Sequence, residues 1–121
     1  MIELLIEARP QPKARPRFWK GRVWSPVSDF EKECKIAAQE VNVEPLEGPV
    51  RVDLEFRFKR PASKYNLGVP HVSRSDLDNL IKAVCDACNT ILYVDDKQIV
   101  EIHAKKVYAV SWGCSVKVSS L

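Results

Sequence analysis

Ten residues near the middle of the chain alternate without a break. Val50, Val52, Leu54, Phe56 and Phe58 share one side of an extended backbone; Arg51, Asp53, Glu55, Arg57 and Lys59 share the other. A period of two predicts a strand with one face on a core and the other in solvent or on a partner. A helical period occurs twice. Phe30, Cys34, Ala37 and Val41 form a stripe over residues 28–42, headed by Ser28-Asp29-Phe30-Glu31, which has the form of a capping box. Leu77, Leu80, Ile81, Val84, Cys85 and Cys88 form a second stripe over residues 76–89. Looser patterns predict a first strand over 2–8, a short strand over 91–94, and two strands over 99–110 and 114–119 joined near Ser111-Trp112-Gly113. Pro10, Pro12 and Pro16 exclude a helix or central strand after the first strand, and Lys20-Gly21 forms a turn that lets Arg22-Val23-Trp24 pair with Arg17-Phe18-Trp19. Residues 60–75 have no period and form a long loop, a feature often tied to function. The order of elements predicts an α+β fold: a single small domain with one mixed or antiparallel β-sheet and two main helices.

A length of 121 residues fits one domain, and 45% hydrophobic with 29% charged residues excludes a disordered tail, a collagen repeat or a disulfide scaffold. No apolar run approaches the ~18 residues of a membrane span. The first seven residues are too acidic and too short for a signal peptide, so a cytoplasmic location and no membrane partner are expected. The four cysteines, Cys34, Cys85, Cys88 and Cys114, are expected to be free core thiols. Cys85 and Cys88 lie on a helix stripe rather than at a helix start, and no second close pair completes a zinc site. His71 and His103 have no nucleophile pattern beside them, and no Gly-rich phosphate loop exists, so no nucleotide cofactor is expected.

The net charge of +3 says little, but its distribution says more. Between Ala8 and Ser28 every ionisable side chain is basic: Arg9, Lys13, Arg15, Arg17, Lys20 and Arg22, with Phe18, Trp19 and Trp24 interleaved. Such a segment suits phosphate contacts and stacking on exposed bases. The same aromatics could equally pack on the core. The acidic counterpart is Asp76 and Asp78, at a loop-to-helix boundary, with Asp95 and Asp96 at another. Carboxylates from separate elements can converge on a hard cation such as Mg²⁺, which activates water and neutralises phosphodiester charge. A structural alternative is just as concrete: Ser75-x-x-Asp78 has the form of a capping box, and Asp78, Lys82 and Asp86 are i,i+4 partners.

Three blocks resemble the RusA family of Holliday junction resolvases, small endonucleases common in phages and prophages. They are Pro12-Lys13-Ala14-Arg15-Pro16-Arg17-Phe18 with Ser25-Pro26 downstream, Asp76-Leu77-Asp78-Asn79-Leu80-x-Lys82, and Val94-Asp95-Asp96-Lys97-Gln98-Ile99-Val100. The resemblance implies a RusA-like fold, a homodimer, and metal binding by Asp76, Asp78 and Asp96. Lys82 matches an essential lysine, and Asp95 and Asp86 match recurring acidic positions. Ser75 stands where the family often has a basic residue, with Arg74 one position back.

The reading that follows is a Mg²⁺-dependent endodeoxyribonuclease, with Mn²⁺ as a substitute, serving DNA recombination and repair. It would resolve four-way junctions by paired symmetric nicks, leaving 5′-phosphate and 3′-hydroxyl ends. Asp76, Asp78, Asp96 and Lys82 would be catalytic. Lys13, Arg15, Arg17, Lys20, Arg22 and Arg74, with Lys64 and Arg60 of the long loop, would contact branched DNA. The basic arm covers about residues 9–27 and the catalytic core about 74–100. The alternatives are a nuclease for flaps or forks, a non-catalytic DNA-binding module, and an interaction protein using the 50–59 strand as its edge.

Overall fold

The computed structural model describes residues 1–24, 26–61, 66–73 and 75–121. In chain order the elements are β1 (Ile2–Ile6), a hairpin of β2 (Arg17–Trp19) and β3 (Arg22–Trp24), α1 (Asp29–Val41), β4 (Val50–Lys59), α2 (Leu77–Cys88), a 3₁₀ turn (Asp96–Gln98), β5 (Ile99–Ala109) and β6 (Gly113–Ser120). The alternating segment is therefore β4, with the predicted bounds. It is an inner strand of a mixed four-stranded sheet in the order β1-β6-β4-β5. β4 runs antiparallel to β6 and parallel to β5, and β6 runs antiparallel to β1.

The register lines up the apolar halves of the strands. Val52 faces Val118, Leu54 faces Val116 and Phe56 faces Cys114; across β6, Ile2, Leu4 and Ile6 meet the same three partners. Both helices cover this face, contributing Phe30, Cys34 and Ala38 from α1 and Leu80, Ala83, Val84, Ala87 and Cys88 from α2. Phe30 meets Phe56 edge to face at 6.4 Å between ring centres, locking α1 to the middle of the sheet. The opposite face carries the charged residues of β4 in ion pairs such as Arg51–Asp53 and Lys105–Glu55.

Two expectations change, and the last connection takes a path the sequence does not specify. Residues 91–94 form a turn with isolated bridges from Tyr93 to Leu46 and Asn89, not a strand. Thr90 has φ +67°, and Leu92 and Tyr93 are consecutive yet both buried, which a two-faced strand does not allow. The first strand stops at Ile6 rather than residue 8. The last two strands are not neighbours: residues 110–112 pass over the end of β4, which lies between them. Three residues can make that crossing because strands two apart lie roughly 10 Å from each other.

All four cysteines are free and buried, as expected. Burial is the main reason each thiol titrates high: Cys85 is pushed up to about 11, and Cys88 and Cys114 to about 12. In the native protein at pH 8 none should react readily with Ellman's reagent, whereas all four should react at once in guanidinium. Rapid labelling of one thiol without denaturant would show that its turn of the core opens.

Candidate active site

The aperiodic segment before α2 is partly strand-like. The Gly68 N–H donates to the Tyr108 carbonyl at 2.8 Å, the Tyr108 N–H to Val69 at 2.9 Å, and the His71 N–H to Lys106 at 3.0 Å. These bonds tie residues 68–71 along the outer edge of β5. The His71 ring stacks on Phe58 at 4.0 Å, and burial lowers its pKa, with Lys106 adding to the shift. Lys106 then holds the next stretch, its Nζ donating to the carbonyls of Ser73 at 3.2 Å and Ser75 at 2.8 Å. Ser75 has φ +74°, a left-handed conformation that costs a non-glycine residue on the order of 1 kcal/mol. A strained residue under a lysine clamp therefore delivers the chain to Asp76.

The capping box expected at this point is not present. Asp76, not Ser75, occupies the N-cap position of α2, and its side chain makes no capping hydrogen bond. The other two helix starts are capped: Ser28 Oγ accepts the Glu31 N–H at 3.1 Å, and Asp95 accepts the Lys97 N–H at 2.9 Å. Neither Asp76 nor Asp78 has an ion-pair or side-chain hydrogen-bond partner among the described residues. Both are exposed. An N-cap aspartate ordinarily stabilises a helix by about 1 kcal/mol, and α2 forgoes that contribution.

The basic arm forms the facing wall. A groove of about 550 Å³ lies between residues 12–16 and Ser75, Asp76, Asn79 and Lys82. Its walls are fastened together. The Lys13 N–H donates to the Asn79 carbonyl at 3.0 Å, and Gln11 Oε1 accepts the Phe30 N–H at 3.0 Å, giving α1 a second cap from the arm. Lys13 Nζ reaches Glu31 at 2.9 Å and Asp86 at 3.3 Å; Asp86 also meets Lys82 at 3.5 Å. Glu31 therefore completes only half of its capping box, because its carboxylate turns to Lys13 instead of the helix start. Burial opposes the charge on Lys13, but the hydrogen bonds its ammonium donates to Glu31 and Asp86, with their negative charge, outweigh it and hold the ammonium above its usual range.

The structure thus divides the basic residues. Lys13, expected among the DNA contacts, pairs with Glu31 and Asp86 in the free protein. Arg15 lines the groove, and Arg17, Lys20 and Arg22 are exposed on the hairpin. Arg74, Lys64 and Ser25 lie outside the described residues. Arg60 anchors to β5 through its N–H to the Ala109 carbonyl at 2.9 Å. Gln11, Glu31 and Lys106 carry no mark in the sequence as site-building residues, since each acts on a segment remote in the chain.

The two aspartates of the last block have different surroundings. Asp95 caps the 3₁₀ turn while its own N–H donates to Gln98 Oε1 at 2.7 Å. Gln98 Nε2 pins the carbonyls of Leu46 and Gly48. The Lys97 N–H is the main reason the Asp95 carboxyl titrates below its usual range. Asp96 is exposed beside it, and its charge adds to the upward shift of the Cys85 thiol. Among the described residues no three acidic, histidine or cysteine side chains are gathered as a closed metal-ligand set. The donor chemistry of Asp76, Asp78 and Asp96, exposed carboxylates that make no ion pair among the described residues, nonetheless fits a hard divalent cation. Asp95→Asn keeps a capping side chain and should retain DNA nicking within about threefold, whereas Asp96→Asn should lose it. Parallel nicking assays on the two variants check this; activity lost in Asp95→Asn and kept in Asp96→Asn would reverse the assignment.

The small mixed-sheet domain thus sets a basic arm across a groove from the Asp76 carboxylate at the start of α2. Comparison with known proteins gives the class. The family model "Endodeoxyribonuclease RusA" matches residues 7–119. The chain belongs to the RusA endodeoxyribonuclease family, whose members resolve Holliday junctions. It is also similar to YqaN of Bacillus subtilis (strain 168), described as uncharacterized, at 26% identity over 89% of this chain and 88% of that protein.

Proposed function

We propose that this chain is a Mg²⁺-dependent resolvase that nicks two opposed strands of a four-way DNA junction as a homodimer. The observation that carries this reading is the start of α2: a strained, clamped approach, an N-cap carboxylate left out of capping, and a basic wall across the groove. Asp76 and Asp78 would hold the ion from the first turn of α2, with Asp96 as the donor from the second segment. When bound, such an ion supplies Lewis-acid activation of water and neutralises charge on the phosphodiester.

The chain's own residues do the rest. Arg15 grips the phosphate backbone across the groove from Asp76. Lys82, tethered to Asp86, offers its ammonium to the pentavalent charge or to the attacking water. Lys13 and Asp86 set the distance between the walls and the direction of Lys82. One site of three carboxylates per chain makes one cut, so matched cuts need two copies, and a C₂ pair matches the two-fold symmetry of a junction. In the test, end-labelled four-way junctions, flaps, forks and plain duplex are incubated with and without Mg²⁺. The expected result is Mg²⁺-dependent nicking with the junction preferred. Tight, salt-sensitive binding with no cleavage in Mg²⁺ or Mn²⁺ would instead indicate a binding module.

A further inference from the structure

The hairpin leaves its aromatic residues without a core. All six residues of β2 and β3 are exposed, with Phe18 at 75%, Trp19 at 65% and Trp24 at 46%. Lys20 and Gly21, both at positive φ, close it in a two-residue turn. The pairing sets Trp19 opposite Arg22 and Arg17 opposite Trp24. Directly opposed residues share a face, so one side of the ribbon is a checkerboard of two tryptophans and two arginines. Phe18 and Val23, also paired, occupy the other side.

The surroundings of this face select its partner. Arg15, Arg17, Lys20 and Arg22 make no ion pair among the described residues, while Lys20 Nζ lies 5.7 Å from the centre of the Trp19 ring. A protein interface disfavours so many unpaired cations at its centre. A nucleic acid meets both needs, because phosphates take the guanidinium groups and bases take the indoles. Paired bases present no open ring face, so the complementary ligand is an unpaired stretch. The position agrees: Arg15 and Pro16 line the groove, and β2 begins at the next residue.

We propose that the tryptophan–arginine face of the β2–β3 hairpin is a docking surface for unpaired DNA nucleotides beside the groove. It would favour branched or locally melted DNA over duplex. This deepens the nuclease reading and rests on it for the identity of the substrate, but it concerns binding alone.

The test measures binding without divalent metal, so the outcome is independent of cleavage. The probes are an oligothymidylate, a blunt duplex and a four-way junction. Trp19→Ala/Trp24→Ala should weaken oligothymidylate binding by about tenfold or more, reduce the preference for the junction over duplex, and leave duplex binding within about threefold. Trp19→Phe should retain most of the affinity, and tryptophan emission of the wild type should be quenched by oligothymidylate more than by duplex. Equal losses on all three probes, or none, would overturn the proposal. So would a drop in sedimenting mass in the double variant, which would make the hairpin a contact between copies of the chain. Absence of nicking by a wild-type protein that shows the expected binding would count against the nuclease reading only.

Discussion

Asp76→Asn is expected to reduce nicking of a four-way junction by at least about a thousandfold while leaving DNA binding intact. Lewis-acid stabilisation of a phosphodiester transition state is worth several kcal/mol, and each ~1.4 kcal/mol is a factor of ten in rate. The fold should not suffer. Asp76 is exposed, contributes no capping bond, and has no ion pair among the described residues, so little is lost when its charge is removed. Binding without metal should strengthen slightly, because one negative charge facing the phosphates is gone. Gel-shift and nicking assays on the same preparation check both halves. A variant that still cleaves would move the site away from the start of α2.

The second large effect concerns stability. Lys13→Met leaves Glu31, buried at the start of α1, without its cation and removes one of the two ammonium groups beside Asp86. Removing one partner of a buried ion pair costs about 3–5 kcal/mol, and the slight exposure here suggests a value near 3 kcal/mol. In a domain of this size that lowers Tm by about 10 °C. Lys13→Met/Glu31→Leu should recover much of the loss, since two apolar groups leave no stranded charge. The pH dependence has a definite sign. The Lys13 pKa is raised in the folded state, so its contribution is complete below the ordinary lysine value and is lost as pH rises past it. Wild type should therefore lose stability above roughly pH 10.5 more steeply than the double variant. Thermal melts of the three proteins at pH 7 and pH 11 measure this.

The strands and helices were legible because their side chains follow one period over many residues. β4 alternates for ten positions, and both helices carry an unbroken apolar stripe. The segment after α2 misled because Ile91-Leu92-Tyr93 is apolar and short, while its shape depends on a positive φ at Thr90 and on the Tyr93 hydroxyl bonding the Cys85 carbonyl at 2.7 Å. Spacing could point to Asp76, Asp78 and Asp96 but could not separate a capping residue from an uncommitted one. That distinction lies in capping hydrogen bonds: the Asp95 carboxylate accepts the Lys97 N–H, and the Asp76 side chain makes no capping bond. The role of Lys13 was hidden for the same reason. Its carboxylate partners lie 18 and 73 residues away along the chain, and only the fold brings Glu31 and Asp86 to one ammonium.

The central claim is that carboxylates from two separate segments, Asp76 and Asp78 at the start of α2 and Asp96 in the 3₁₀ turn, hold one divalent ion. Iron-directed backbone cleavage tests it without reference to DNA. Fe²⁺ replaces Mg²⁺, ascorbate and peroxide generate short-lived radicals at the bound ion, and mass spectrometry maps the breaks. The expected result is cleavage near residues 75–79 and also near residues 95–97, suppressed by excess Mg²⁺ and absent in Asp76→Asn. Breaks confined to another part of the chain, or unchanged by Asp76→Asn, would contradict it.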